Sequence, residues 1–260
     1  MESPSKGSIP HRIYFAAASL AYLAIFVLMT GVHFVARPEG GDVVVQLGDL
    51  QDHSTLYQTG YVLATLLPLA ALLLTAGVGL LIRPQYWALS DRSERVLGFV
   101  GSLFVLAYAG LSGFAYISQW TILPRRLADN FQGAARWYYN FDARHSLPGT
   151  PDSLPVSLDL LAYAIFGVGA LLIAVRLIFE RSPLNWASWA LAACGLTNIA
   201  AWLLHVADVG AAETASLVGI ALTIPFALGI FLFSQQAAVE VVSEEALPLA
   251  GDDEDKTADR

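Results

Sequence analysis

Apolar residues fall into six long runs along the chain, at about residues 13–36, 56–82, 94–121, 156–179, 184–207 and 213–234. A helix needs about 20 predominantly apolar residues to cross a hydrocarbon core about 30 Å thick, and each run is long enough. Polar residues collect between the runs. The pattern therefore predicts an all-α, polytopic membrane protein: a six-transmembrane-helix bundle over residues 13–234, after a short N-terminus of residues 1–12 and before a tail of residues 235–260. Pro84, Pro124 and Pro183 mark helix ends, whereas Pro68 and Pro225 lie inside the second and sixth runs and predict kinks. Ala109 with Gly113, Gly167 with Gly169, and Ala187 to Ala193 permit close helix contact. The two intramembrane prolines do not occupy matching spans of a three-plus-three duplication, so no internal repeat is drawn.

Composition supports the same class. Of 260 residues, 56% are hydrophobic and 14% charged, where a soluble domain carries about 25% charged residues. The net charge of −8 says little about partners, because eight of the 22 acidic residues lie between Glu240 and Asp259. That tail has no apolar periodicity and reads as solvated and disordered. No basic stripe points to nucleic acid. The single cysteine, Cys194, excludes an intrachain disulfide and a cysteine zinc site. The first run follows Lys6 and Arg12 as a signal peptide would, but it is too long and ends in "HFVAR" without a small-x-small pattern, so it reads as a retained span.

Orientation follows from the basic residues. With the N-terminus in the cytoplasm, Lys6, Arg12, Arg83, Arg92, Arg95, Arg176, Arg181, Lys256 and Arg260 lie inside, against Arg37, Arg125, Arg126, Arg136 and Arg144 outside. Nine against five predicts a multi-pass protein of the cell membrane with both termini cytoplasmic. Tyr14, Tyr86, Trp87, Trp186 and Trp189 would form the inner aromatic belt, and Tyr57, Tyr61, Trp120 and Trp202 the outer one.

In that orientation the polar residues gather on the outer side. His33 ends span one, Gln58 begins span two, Gln119 ends span three, Asp159 begins span four, and His205 and Asp208 end span five. Steps of three and four place Ser112 with Gln119, Asp159 with Tyr163, and Cys194, Asn198, His205 and Asp208 on common helix faces. The inner half is nearly all apolar, with Ser19, Thr75 and Ser102 as exceptions. Polar groups in lipid turn toward the bundle interior or a wet cavity, so the pattern predicts an outward-facing polar pocket. In "LADNFQGAARWYYNF" (127–141), Leu127, Phe131, Ala135 and Tyr138 share one helical face, predicting an amphipathic segment lying over that pocket.

Each polar signal has a competing reading. His33, His205 and Asp208 are residue types that bind zinc or iron, and two histidines near one membrane face could hold a haem. No HExxH motif and no second histidine pair accompanies them, so no metal or cofactor is predicted. Asp159 could accept a proton, but a carboxylate in a helix's first turn is also stabilised by the helix dipole. "GLSG" (110–113) matches the G-x-S-G of rhomboid-type intramembrane serine proteases, with Ser112 and His205 as the dyad, but the family's A-H-x-x-G spacing is missing.

"AYISQWTILP" (115–124), "WYYNF" (137–141) and "LDLLAYAIFG" (158–167) resemble a pattern recurring in uncharacterised prokaryotic six-span integral membrane proteins. These show Y-x-x-Q at the end of span three, a Y-N-P-like loop and an acidic residue opening span four. Tyr116, Gln119, Tyr139, Asn140, Asp159 and Tyr163 match, within about residues 95–180, whereas Phe141 stands where the pattern has proline. The resemblance implies a location for the site and no chemistry. The expected function is non-enzymatic: an integral membrane protein binding a small ligand, lipid or partner protein. A secondary transporter or transporter subunit with proton-linked Asp159 and His205 is the alternative, and a membrane-embedded metal or haem enzyme a further one.

Overall fold

A computed structural model describes residues 8–36, 43–52, 54–81, 91–129, 131–139, 153–178 and 185–245, with side chains over 12–36, 43–52, 54–81, 96–129, 133–139, 153–178 and 185–235. The helices are α1 (Ser8–Val35), α2 (Val43–Asp52), α3 (Ser54–Leu81), α4 (Asp91–Asp129), α5 (Phe131–Ala135), α6 (Leu154–Ile178), α7 (Asn185–Val206) and α8 (Ala212–Glu245). Among the described residues there is no strand. Six helices are long and apolar enough to cross a membrane, the architecture of an all-α, multi-pass integral membrane protein.

The six long helices form a closed ring. Each packs on its neighbours in the order α1, α3, α4, α6, α7, α8, and α8 closes back onto α1. Lipid tails are as apolar as leucine, so hydrophobicity alone does not hold such helices together, and small residues let the backbones approach. The seams show this. A methyl at Gly98 of α4 would meet the Gly79 carbonyl of α3, one at Gly169 of α6 the Gly101 carbonyl of α4, and one at Gly195 of α7 the Gly167 carbonyl of α6. Gly113, expected at such a contact, has open space around it. Tyr22, Tyr108, Tyr163, Phe166 and Phe226 fill the centre, and the Tyr22 hydroxyl lies 2.5 Å from Thr223 Oγ1 across the α1–α8 seam.

Several boundaries differ from expectation. Pro124 does not end α4, which runs on to Asp129. A proline removes one helical hydrogen bond and crowds one carbonyl, while Leu123 and Leu127 on either side of it are buried and hold the helix in register. The amphipathic segment is consequently split between the end of α4 and the short α5. Leu127, Ala135 and Tyr138 face inward as expected, and the Phe131 side chain and Asn130 lie outside the described residues. The last helix passes residue 234 and includes Glu245, through good helix formers such as Gln235, Gln236 and Ala237; the rest of the expected disordered tail lies outside the described residues.

Helix α2 was not expected. Its Val43, Leu47 and Leu50 are buried at helical spacing, and with α5 it covers one end of the ring, here called the cap end. Beneath it lies a second apolar cluster including Tyr57, Tyr61, Tyr116, Leu123 and Ala134. Tyr57 and Tyr61 thus belong to the core and not to an interfacial belt. The opposite end is less oily than its sequence implied. Arg176, counted above as a loop charge, is buried there and donates from Nη1 to the carbonyl of Gly79. That carbonyl is among the last four of α3, which lack helical partners and carry the negative end of the helix dipole.

Candidate functional site

Ser153 starts α6. It accepts from the Val156 N–H at 3.4 Å and donates to the Tyr138 carbonyl at 2.6 Å, so the helix begins earlier than expected and is tied to the cap. Asp159 consequently sits five residues past Leu154, beyond the first turn where dipole stabilisation acts. That depth carries its carboxylate into the bundle, where it is fully buried.

Three hydroxyls meet it. Ser112 donates to Oδ1 at 2.5 Å, while Tyr116 at 2.9 Å and Tyr139 at 2.6 Å both donate to Oδ2. Tyr163 lies 2.9 Å from the Tyr116 hydroxyl, on the same face of α6 as Asp159. Among the described residues no lysine, arginine or histidine bonds the carboxylate, so the charge is met by neutral donors alone. Burial, reinforced by the charge of Asp159, raises the Tyr139 phenol well above its ordinary range and keeps it a donor at neutral pH.

Gln119, one turn further along α4 than Tyr116, is the second centre. Its Oε1 accepts from the Tyr57 hydroxyl at 3.0 Å and the Tyr139 N–H at 2.9 Å; its Nε2 donates to the Trp137 carbonyl at 2.8 Å and to Ser118 Oγ at 3.0 Å. All four sites of a buried amide are used. One side chain therefore joins α3, α4 and the segment after α5, and places Tyr139 over Asp159. Helix α2 is tied to the same segment by Tyr138, whose hydroxyl donates to Gln46 Oε1 at 3.0 Å.

Beside Gln119 a cleft of about 170 Å3 opens between α2, α3 and α4, with Leu50, Leu123 and Leu127 on its apolar wall and Gln51, Ser54 and Gln58 on its polar one. Gln51 Nε2 reaches the Leu127 carbonyl at a long 3.4 Å.

Of the predicted site residues, Ser112, Gln119, Asp159 and Tyr163 come together, and Gln58 lines the adjoining cleft. Tyr57 was missed as a polar group because it was read only as an interfacial ring. Tyr116 and Tyr139 were singled out only through the family resemblance, and Asn140 lies outside the described residues.

The other candidates lie elsewhere. His33 packs edge-on against Tyr61, with ring centroids 4.7 Å apart, and its Nδ1 donates to the Met29 carbonyl at 2.9 Å. His205 lies beside Trp202, with Nε2 3.2 Å from Ser157 Oγ. Ser112 and His205 therefore have separate partners and form no dyad. In the ring, α8 stands between α1, which bears His33, and α7, which bears His205. Among the described residues no three histidine, cysteine, aspartate or glutamate side chains group as a metal site.

Asp208 lies past the end of α7 with φ 58°. The Asp208 N–H donates to the His205 carbonyl at 3.1 Å and the Val209 N–H to that of Leu204 at 2.9 Å, which is the Schellman closure of a helix. Asn198 is buried in the α7–α8 seam, its Nδ2 donating to Cys194 Sγ at 3.3 Å and its Oδ1 against Gly219. No family model, curated protein or solved structure matches this chain, so the reading of its function rests on this geometry.

Proposed function

We propose that this is a cell-membrane protein, with both termini in the cytoplasm, that binds a small neutral polar ligand or lipid headgroup at the outward-facing cap end. The carrying observation is the polar wall of the cleft between α2, α3 and α4. Gln58 and Ser54 have no hydrogen-bond partner among the described residues, while neighbouring Gln119 is saturated. The first two are free to recognise a ligand and the third holds the frame around them.

The lining carries no charged side chain, which favours a neutral guest with both donor and acceptor groups. The volume falls below the 300 Å3 or so at which drug-sized sites begin, so the cleft suits a small molecule or the head of an amphiphile. The test is a thermal-shift panel of polyols, small amides and short-chain lipid headgroups on the full chain in nanodiscs. At least one class should stabilise the wild type and lose its effect in Gln58→Leu. Equal shifts in the two proteins, or none across the panel, would refute the cleft as the binding site.

A further inference from the structure

Asp159 and Arg176 are the two buried ionisable groups of opposite charge on α6, at opposite ends of the helix. Arg176 meets a helix-end carbonyl, which is a structural pairing. Asp159 has no such cation among the described residues, and an uncompensated charge inside a membrane span is costly and usually functional. Its surroundings are phenols and one serine. Ser112, Tyr108 and Tyr116 come from α4, Tyr163 from α6, Tyr61 from α3 and Tyr139 from the cap, while His205 of α7 reaches Ser157.

The carboxyl group can be satisfied in either protonation state by the turn of one hydroxyl. As a carboxylate it accepts three hydrogen bonds, within its capacity of about four. Ser112 is the sole partner of Oδ1. A proton taken onto Oδ1 can be donated to Ser112 Oγ, provided the serine hydrogen turns elsewhere. The Tyr108 side chain, one turn back on α4, interacts with the Ser112 side chain, and its phenol oxygen can accept that hydrogen. Oδ2 keeps Tyr116 and Tyr139 throughout.

We propose that Asp159 is a proton-binding site, loaded from the cap end past Tyr139, with Ser112 as the hydroxyl whose hydrogen bond reverses on proton uptake. Tyr139 is the route because it is partly exposed and lies outside the helices, whereas Ser112, Tyr116 and Tyr163 are buried within them. Among the described residues no hydrogen bond leads on from Tyr163, or from Tyr108 beside Ser112, to the Tyr22–Thr223 pair. The proton therefore enters and leaves on one side. A metal cation fits less well, because hard cations hold oxygens about 2.0–2.6 Å from the ion, whereas each donor oxygen here sits directly on the carboxylate at hydrogen-bond distance. The inference does not depend on the ligand cleft.

Infrared difference spectroscopy on the full chain, oriented in liposomes, tests it. Between about pH 4 and pH 10, a range spanning the ordinary carboxyl and phenol values, acidification on the cap side should raise a carboxylic C=O band. The band should shift in D2O, vanish in Asp159→Asn and change frequency in Ser112→Ala. If Asp159→Asn does not fold, the Ser112→Ala shift still assigns the band. No band across that range, a band unmoved by both substitutions, or one that follows pH on the opposite side overturns the proposal.

Discussion

Asp159 and Asp208 look alike in the sequence: each is an aspartate at the edge of an apolar run, with a histidine or tyrosine three or four residues away. Their fates differ because of where the helix stands. Helix α6 starts five residues before Asp159, so the side chain is carried into the bundle and bonded by groups 20 to 47 positions away in the chain. Helix α7 ends two residues before Asp208, which is left exposed in a closing turn whose bonds span three and five residues. The polar character of a stretch thus says little until the helix boundary is known. A shift of about one turn separates a buried centre from a surface cap.

Breaking the buried centre should cost the most. Gln119→Leu would strand the Tyr57 hydroxyl, the Tyr139 N–H and the Trp137 carbonyl. A buried polar group left unpaired costs about 1–3 kcal/mol. Unfolding in detergent should therefore show a loss of about 3 kcal/mol or more, with the cap loosened. That second effect is readable as faster amide exchange over residues 131–139 than over α7. A loss near zero would mean that Gln119 does not hold the cap.

Tyr116→Phe is the next step down. It removes one donor to the carboxylate and the partner of Tyr163 while keeping the ring in place. A hydrogen bond to a charged group is worth about 1.5–3 kcal/mol, so the loss should be about 2 kcal/mol. Tyr139→Phe should cost less than Tyr116→Phe, since its ring is partly exposed and water can take up part of the demand. Reversal of that order in equilibrium unfolding would place the centre nearer solvent than the geometry does.

How much of this was legible depends on the physics of each element. Lipid demands long apolar runs, so six spans could be read directly. Helix α2 shows its Val43, Leu47 and Leu50 stripe in the sequence, but ten residues cannot cross a bilayer and a search for spans passes over them. Pro124 read as a stop because its local cost is plain, whereas the burial of Leu123 and Leu127 that outweighs it comes from the cap. Helical spacing placed Ser112 with Gln119, and Asp159 with Tyr163. That the two rows face one another is a property of the α4–α6 seam, where Gly101 and Gly169 bring the backbones together. Tyr57 and Arg176 escaped for the converse reason: an aromatic or a cation near a span end has an ordinary role at the headgroup level, and only the neighbouring helix shows that it points inward.

The smallest effect should fall at the other pole of the comparison and carry the opposite sign. Asp208 occupies the left-handed position that closes a helix, where glycine escapes the Cβ clash and other residues pay about 1–2 kcal/mol, aspartate less than most. Asp208→Gly should therefore stabilise by about 0.5 kcal/mol after glycine's greater entropy in the unfolded chain is counted. Asp208→Ala should destabilise by a similar amount, since alanine keeps the Cβ and lacks the short polar side chain that tolerates this conformation. Paired unfolding curves in detergent separate the two signs. If both substitutions destabilised equally, by about 1 kcal/mol or more, the carboxylate itself would be contributing, since ordinary surface changes stay within about 0.5 kcal/mol. The helix exit and the buried centre would then no longer differ in kind.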